Sequence, residues 1–246
     1  MAQNIYDNQE FFERYAQLNR SVHGLNGAPE WASIVRMLPN MTMMNIVDLG
    51  CGYGWFCRYA RQERAKHVLG LDISEKMLNK AREMTSDTTV IYRQQDLEQL
   101  KLPEDTYDLI YSSLTLHYIE DLSTLFETIY QALTSNGHFV FSTEHPIYTA
   151  SKDPDWFIDK EGQKSWPVNS YQKEGRRVTN WIVEGVIKQH RMIATYLNML
   201  IQQGFVIKHV EEWGPTLQQI VENSSLDEEK ERPMILLMSV QKSTNK

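Results

Sequence analysis

The sequence predicts an α/β protein in which a parallel sheet is covered on both faces by helices, within a single domain over residues 1–246. Three observations carry that expectation. Short apolar runs alternate with amphipathic helical stretches between about residues 45 and 143. A glycine-rich turn, Asp48-Leu-Gly50-Cys51-Gly52-Tyr-Gly54, joins the first apolar run to the first helix after it. Candidate binding residues then stand just past the carboxyl ends of the strands, where open α/β sheets hold ligands.

Composition narrows the class. The 246 residues are 41% hydrophobic and 23% charged, as in an ordinary globular chain, and suffice for one large domain with an insertion. A net charge of −7 argues against non-specific nucleic-acid binding. Residues 1–7 lack the basic start and apolar core of a secretion signal. The late apolar run 234–240 is too short to cross a bilayer. A cytoplasmic protein without a membrane partner is therefore expected. Cys51 and Cys57 fit neither a Cys-x-x-Cys nor a zinc spacing, so they read as reduced, half-buried thiols, and no metal is expected.

In chain order, residues 5–20 read as one amphipathic helix with Phe11, Tyr15 and Leu18 on a face. It either covers the domain or brings Tyr6, Tyr15 or Arg20 to the ligand. Residues 21–28 form a turn-rich link. Pro29 starts a helix bearing Trp31, Ile34, Val35 and Leu38, and residues 1–39 together form an N-terminal cover. Ile46, Val47 and Leu49 make the first strand. Trp55, Phe56, Tyr59 and Ala60 continue at helical spacing after the glycines. Val68, Leu69 and Leu71 form the second strand, with Asp72 at its end. A βαβ unit returns an acid to the ribose of a nucleoside about 20 residues past its glycine turn, which is close to where Asp72 stands. Ser74 caps a helix that buries Met77, Leu78, Ala81 and Met84. The third strand starts at Val90 and leads to Asp96-Leu97. Leu109–Tyr111 is the fourth, followed by a turn over 112–117. Asp121 or Ser123 caps a helix carrying Leu122, Leu125, Phe126, Ile129 and Leu133, which Gly137 closes in the left-handed conformation. Strand five covers 138–142.

From Glu144 the alternation breaks. The stretch 144–190 holds Tyr148, Trp156, Trp166, Tyr171 and Trp181 and reads as an insertion, with a strand over 181–187. A helix through Ile193, Leu197, Leu200 and Ile201 ends at Gly204. Residues 205–213 and 234–242 read as the last two strands of the sheet, separated by an acidic loop over 222–232.

The glycine turn lacks the Gly-Lys-Ser/Thr of a P-loop, and Trp55 stands where a dinucleotide fold has its third glycine or alanine. Asp48-x-Gly50-x-Gly52-x-Gly54, with Asp72, Asp96 and the segment from Tyr107 to His117, resembles the class I S-adenosylmethionine (SAM) dependent methyltransferases of the methyltransferase type 11 group. The resemblance implies a Rossmann-like, doubly wound, seven-stranded, mostly parallel sheet whose last strand is antiparallel. It implies SAM as cofactor, with Asp48, Gly50, Cys51, Gly52 and Gly54 around it at the turn. Asp72 then serves the ribose, and Asp96 and Leu97 the adenine, with Ile73 and Met77 also among the cofactor-binding residues. Ser113, Leu114 and His117 line the methionine part, and Tyr15 reaches over from the cover. Ser112-Ser113-Leu114-Thr115 replaces the Asp/Asn-Pro-Pro-Tyr/Phe of amino-methylating enzymes that act on nucleic acid, so no nucleic-acid partner is expected.

The acceptor is expected to be a small molecule. His117, His145 and Glu144 are the candidate catalytic residues. Tyr148, Trp156, Tyr171 and Trp181 are candidate substrate contacts in the cover 144–190. Two other functions fit parts of the pattern: a SAM-binding regulatory module without turnover, and a nicotinamide-dependent oxidoreductase. The missing third glycine and the presence of Asp96 count against the second of these.

Overall fold

The computed structural model of the chain describes residues 3–152 and 154–243; residues 1–2, 153 and 244–246 of the expected domain lie outside the described residues. The expected N-terminal helix is interrupted. A 3₁₀ turn, Ile5–Asp7, precedes α1 (Gln9–Tyr15) and α2 (Asn19–His23). The interruption has local causes: Asn8 leaves helical geometry and its side chain accepts the Phe11 N–H, so a fresh helix starts there. Leu18 is likewise extended, at ψ 146°. α3 (Trp31–Met37) begins just after the Pro29 turn.

The main sheet is built from β1 (Asn45–Leu49), β2 (His67–Asp72), β3 (Val90–Gln94), β4 (Tyr107–Ser113), β5 (Leu133–Glu144), β10 (Phe205–Glu212) and β11 (Ile235–Lys242). Its order is β10-β11-β5-β4-β1-β2-β3. β1 to β5 run parallel, and β11 pairs antiparallel with both β5 and β10, as the family resemblance implies. α4 (Trp55–Gln62), α5 (Glu75–Glu83), α6 (Leu122–Ala132) and α8 (Ile193–Gln203) connect the strands. Two buried clusters result. One joins Leu49, Leu71, Phe126, Phe139 and Leu200, and the other joins Ile34, Ile46, Phe56, Leu78 and Leu109. A sheet buried on both faces in this way needs near-continuous apolar strands, which β1 and β11 supply.

Three local expectations change. α6 ends at Ala132, and Leu133 already belongs to β5, paired with Tyr107. Asn136, at φ 64°, takes the left-handed position expected of Gly137; asparagine tolerates it because its side chain bonds locally. The 222–232 loop is not structureless: α9 (Leu217–Glu222) and a 3₁₀ helix (Ser224–Lys230) occupy this region. The cysteines are free but fully buried rather than half-buried, at 8% exposure for Cys51 and 0% for Cys57.

After β5 come α7 (Pro146–Ala150), a two-residue pair β6 (Phe157–Ile158) and β7 (Lys164–Ser165), and a longer hairpin of β8 (Gly175–Trp181) and β9 (Val183–His190). The expected strand over 181–187 therefore straddles a hairpin tip. Ile182 there has φ 63°, which reverses the chain directly after Trp181. The tip is fastened to the N-terminal segment: Arg14 donates to Ile182 O at 2.7 Å, and Gln3 bonds Gly185 and Ile187. No helix among the described residues is long and apolar enough to cross a membrane.

Candidate active site

β1 delivers the chain to the glycine turn at the carboxyl edge of the sheet. Gly50 has φ +78°, and a Cβ there would lie 2.1 Å from Thr115 Oγ1, so a side chain is excluded on two grounds. At Gly52 an added Cβ would meet nothing within 4 Å, which marks the open side of the turn. The fold engages the N–H groups of this turn internally. Gly50 and Cys51 donate to Leu71 O at 2.7 and 2.9 Å, and Gly54 donates to Cys51 O at 2.8 Å. Gly52 donates to Asp72 Oδ2 at 2.8 Å. The cause is the parallel pairing of β1 with β2, which sets the end of β2 beside the turn.

Asp72 is 8% exposed, and its Oδ1 accepts the Ser74 N–H at 2.9 Å. Burial pushes its pKa up to about 6, against the opposing pull of those backbone N–H groups. Asp96 caps the 3₁₀ turn Leu97–Gln99 by accepting the Glu98 N–H at 3.0 Å. Both acids thus have structural partners while also lining a cavity.

That cavity encloses about 1010 Å³ of empty space, its open mouth included, and lies along the carboxyl ends of the strands. Tyr15, Gly50, Gly52, Asp72, Ile73, Met77, Asp96, Leu97, Ser113, Leu114 and His117 all line it. Three expected contacts do not. Asp48 lies under the turn, 2% exposed, where it accepts the Cys57 thiol at 3.3 Å, and burial pushes its pKa up to about 7. Cys51 packs beneath against Gly70, and Gly54 starts α4 in the left-handed conformation, hard against the Tyr92 ring. They support the turn from behind.

The same cavity is lined by His117, Tyr118, Glu144 and Trp181, with Tyr6 and Arg20 contributed by the N-terminal segment. Glu144 Oε1 takes the Nζ of Lys188, a lysine only 2% exposed, and lies 3.9 Å from His117 Nε2. His117 Nδ1 accepts the Glu144 N–H at 3.4 Å. Burial drives the His117 pKa down to about 4. Burial opposes ionisation of Glu144 as well, yet His117 and Lys188 outweigh it and hold that pKa below the usual glutamate value. Tyr118, Lys188 and Thr115 were not anticipated. Tyr118 adjoins the expected His117, whereas a lone lysine in a hairpin strand carries no sequence mark.

Four expected residues fall elsewhere. His145 is 0% exposed and does not line the cavity: its Nδ1 accepts the Ile147 N–H at 3.0 Å, capping α7, and its Nε2 bonds Glu212 at 2.8 Å. Trp156 donates to Glu228 at 3.0 Å and, with Tyr148 and Trp166, surrounds the Arg232 guanidinium. Tyr171 meets His190 edge-on and accepts its ring N at the backbone carbonyl. Tyr148 reaches only a second, smaller cavity, which shares Glu144 and Trp181 with the first. Trp181 alone of the four aromatics lines the main cavity, and its ring packs edge-on against Phe11 and Tyr15. Among the described residues no cluster of potential metal ligands exists.

Known proteins carry the same pattern. Residues 47–141 match the family model described as a methyltransferase domain. A Mesorhizobium loti S-adenosylmethionine dependent methyltransferase of known structure is 54% identical, with a TM-score of 0.86 over 89% of this chain and 100% of that one. A Haemophilus influenzae protein of unassigned function is 36% identical over 217 residues, 85% of either chain. The malonyl-[acyl-carrier protein] O-methyltransferase of Erwinia billingiae is 34% identical over 98 residues, which cover 40% of this chain and 38% of that protein. With this fold, this glycine turn and these relatives, the chain belongs to the class I SAM-dependent methyltransferases, and SAM is its cofactor.

Proposed function

We propose that the chain methylates a small-molecule acceptor seated between His117 and Glu144 on one side and Trp181 on the other, by in-line displacement with release of S-adenosylhomocysteine. The observation that carries this reading is that one cavity is lined both by the residues past β1 to β4 and by this trio. A fit to SAM is supported by the open space over Gly52 and by the carboxylates of Asp72 and Asp96 lining the same cavity as the apolar Ile73, Met77 and Leu97.

In this reading Asp72 holds the ribose hydroxyls, Asp96 the adenine amino group, and Ser113 and Leu114 the methionine part. Bound SAM supplies a methyl group already activated by its sulfonium, so the protein's work is orientation and exclusion of water. The N-terminal cover 1–39 and the insertion 144–190 close the cavity through Tyr6, Tyr15 and Trp181. His117 orients rather than deprotonates: it is neutral at pH 7, and the hydrogen bond to its Nδ1 leaves the proton on Nε2. The free thiols suit a reducing, cytoplasmic setting.

Thermal shift tests the cofactor half. SAM at about 100 times its dissociation constant should add about 2.7 kcal/mol, a rise of roughly 5–11 °C for a domain of this size, and NAD should add nothing. Labelled SAM tests the acceptor half. Transfer of label to small molecules supports the reading, and transfer only to protein or nucleic acid rejects it.

A further inference from the structure

Glu144 has a second oxygen without a use. Oε1 is taken by Lys188, but Oε2 is buried and has no hydrogen-bond partner. A buried carboxylate oxygen left without a donor is costly, and here it sits in a residue that lines both the main cavity and the smaller one beyond it. The smaller cavity holds about 490 Å³ of empty space, its open mouth included, and is walled by Tyr148, Thr179, Asn180 and the cations Arg177 and Lys188, besides Glu144 and Trp181. Glu144 and Trp181 form the partition between the two spaces, and Lys188 braces both, with its Nζ 4.8 Å from the Trp181 ring.

We propose that Glu144 Oε2 receives the O–H of a neutral hydroxyl acceptor, an alcohol or a phenol, whose remaining atoms occupy the second cavity, so that the enzyme is an O-methyltransferase of hydroxyl groups. The inference rests on the small-molecule reading above and deepens it. Charge selects a neutral donor. The Glu144 carboxylate is already matched by Lys188, and the Arg191 guanidinium, bonded to Ile119 O and Glu120 O, lies behind His117 with its Nη1 unpartnered. An ammonium acceptor would add a cation to a site that already holds Lys188, Arg191 and the sulfonium of SAM. A carboxylate acceptor brings no hydrogen to Oε2. A hydroxyl brings one, and no charge.

The chemistry balances. The acceptor oxygen forms a bond to the methyl carbon as the carbon–sulfur bond breaks, and S-adenosylhomocysteine leaves neutral. The O–H bond breaks in the same event and its proton passes to Glu144 Oε2, then to water. A carboxylate held below its ordinary pKa is a weak base, and a weak base is enough here, because an oxygen that has begun to bond the methyl carbon is far more acidic than a carboxylic acid. His117 cannot take this role, since its Nε2 already carries the hydrogen.

The test is S-adenosylhomocysteine release by the SAM-loaded protein across four probe groups: phenols and diols, primary amines, carboxylic acids, and thioethers. Turnover is expected with hydroxyl probes. Glu144→Gln should lower it about 10²–10⁴-fold, since the amide can place an N–H donor where the acceptor's own donor must go. SAM affinity by calorimetry should change less than about threefold, and that measurement also shows that the variant is folded. Glu144→Asp, which keeps the charge but withdraws it, should recover part of the loss. If Glu144→Gln does not yield folded protein, Glu144→Asp decides alone: a reduced rate with SAM affinity kept supports the proposal, and an unchanged rate overturns it. Turnover of amines, acids or thioethers without hydroxyls overturns the hydroxyl assignment and leaves the methyltransferase reading standing. So does a panel in which no hydroxyl probe reacts although SAM binds. Full hydroxyl turnover by folded Glu144→Gln removes Glu144 from the reaction.

Discussion

The two walls of the cavity are built by different means. The strand-edge wall, carrying Gly50, Gly52, Asp72 and Asp96, is tied down by backbone hydrogen bonds, and β1 and β2 beneath it are largely buried, although β3 is an exposed edge strand. The opposite wall, carrying Trp181, stands on the tip of a hairpin outside the main sheet. What holds that tip is a few side-chain contacts, from Gln3, Arg14, Phe11 and Tyr15, to a segment that is itself broken into short helices. A wall of the first kind changes shape only if the sheet opens. A wall of the second kind can part while the core stays folded, because its local opening costs far less than global unfolding. In the proposed reading, the cofactor's groups belong to the stable part of the molecule, and the acceptor's passage to the part that can move.

The sharpest way to break the strand-edge wall is Gly50→Ala. Overlap with Thr115 and the positive φ together cost roughly 3–5 kcal/mol, and calorimetry should find no SAM binding in the soluble fraction. Binding of normal strength would mean that the turn tolerates a side chain.

Asp48 probes the same wall from beneath. Its folded pKa of about 7 lies above the usual carboxylate value because burial penalises its charge. A raised carboxylate pKa stabilises the fold below the unfolded pKa, and that contribution is lost as pH rises toward and through 7. Asp48→Asn should therefore raise stability at pH 8 by roughly 2–4 kcal/mol, at about 1.4 kcal/mol per pKa unit, and leave it little changed at pH 4. Denaturant melts at both values check this; equal effects at the two would deny the buried charge.

Asp72→Ala should cost SAM about 1.5–3 kcal/mol, ten- to a hundredfold in affinity. Wild-type affinity should likewise decline as pH falls below about 6, where Asp72 takes up its proton. Unchanged calorimetric affinity in a folded variant would reduce Asp72 to a bracket for Gly52 and Ser74.

Trp181→Ala should act on the other wall alone. Loss of its edge contacts is worth about 1–2 kcal/mol, appearing as faster amide exchange in residues 5–20 and 175–190 with exchange in β1 and β4 unaltered. Equal acceleration in the sheet would erase the contrast between the walls.

The strand-edge wall was also the readable one. Asp72 could be placed because strand, acid and spacing are local marks, Asp96 because the family resemblance marks the acid after the third strand, and β1 to β5 follow one another in the expected order. The insertion resisted for reasons visible in single residues. Side chains along a strand alternate between faces, so Glu144, at the end of β5, lies on the side of Ser142, which bonds Ser113 beside the cavity. His145 follows on the other side and caps α7. That alternation was available in the sequence and would have separated the two. Trp156, Tyr171 and Trp181 could not be separated so: equal in composition, they differ only in tertiary partners, Arg232, His190 and Tyr15 respectively. The N-terminal helix failed because the Asn8 cap and the extended Leu18 break its apolar period twice.

The buried thiols under the glycine turn have an experimental consequence. Burial raises the pKa of Cys57 to about 11 and that of Cys51 well above its ordinary value, so neither offers a thiolate to an alkylating reagent while the turn is closed. Any alkylation must pass through an opening of the sheet edge. The two cysteines are thus a built-in clock for that event, and the factor by which SAM slows their labelling measures how firmly the cofactor holds the edge shut.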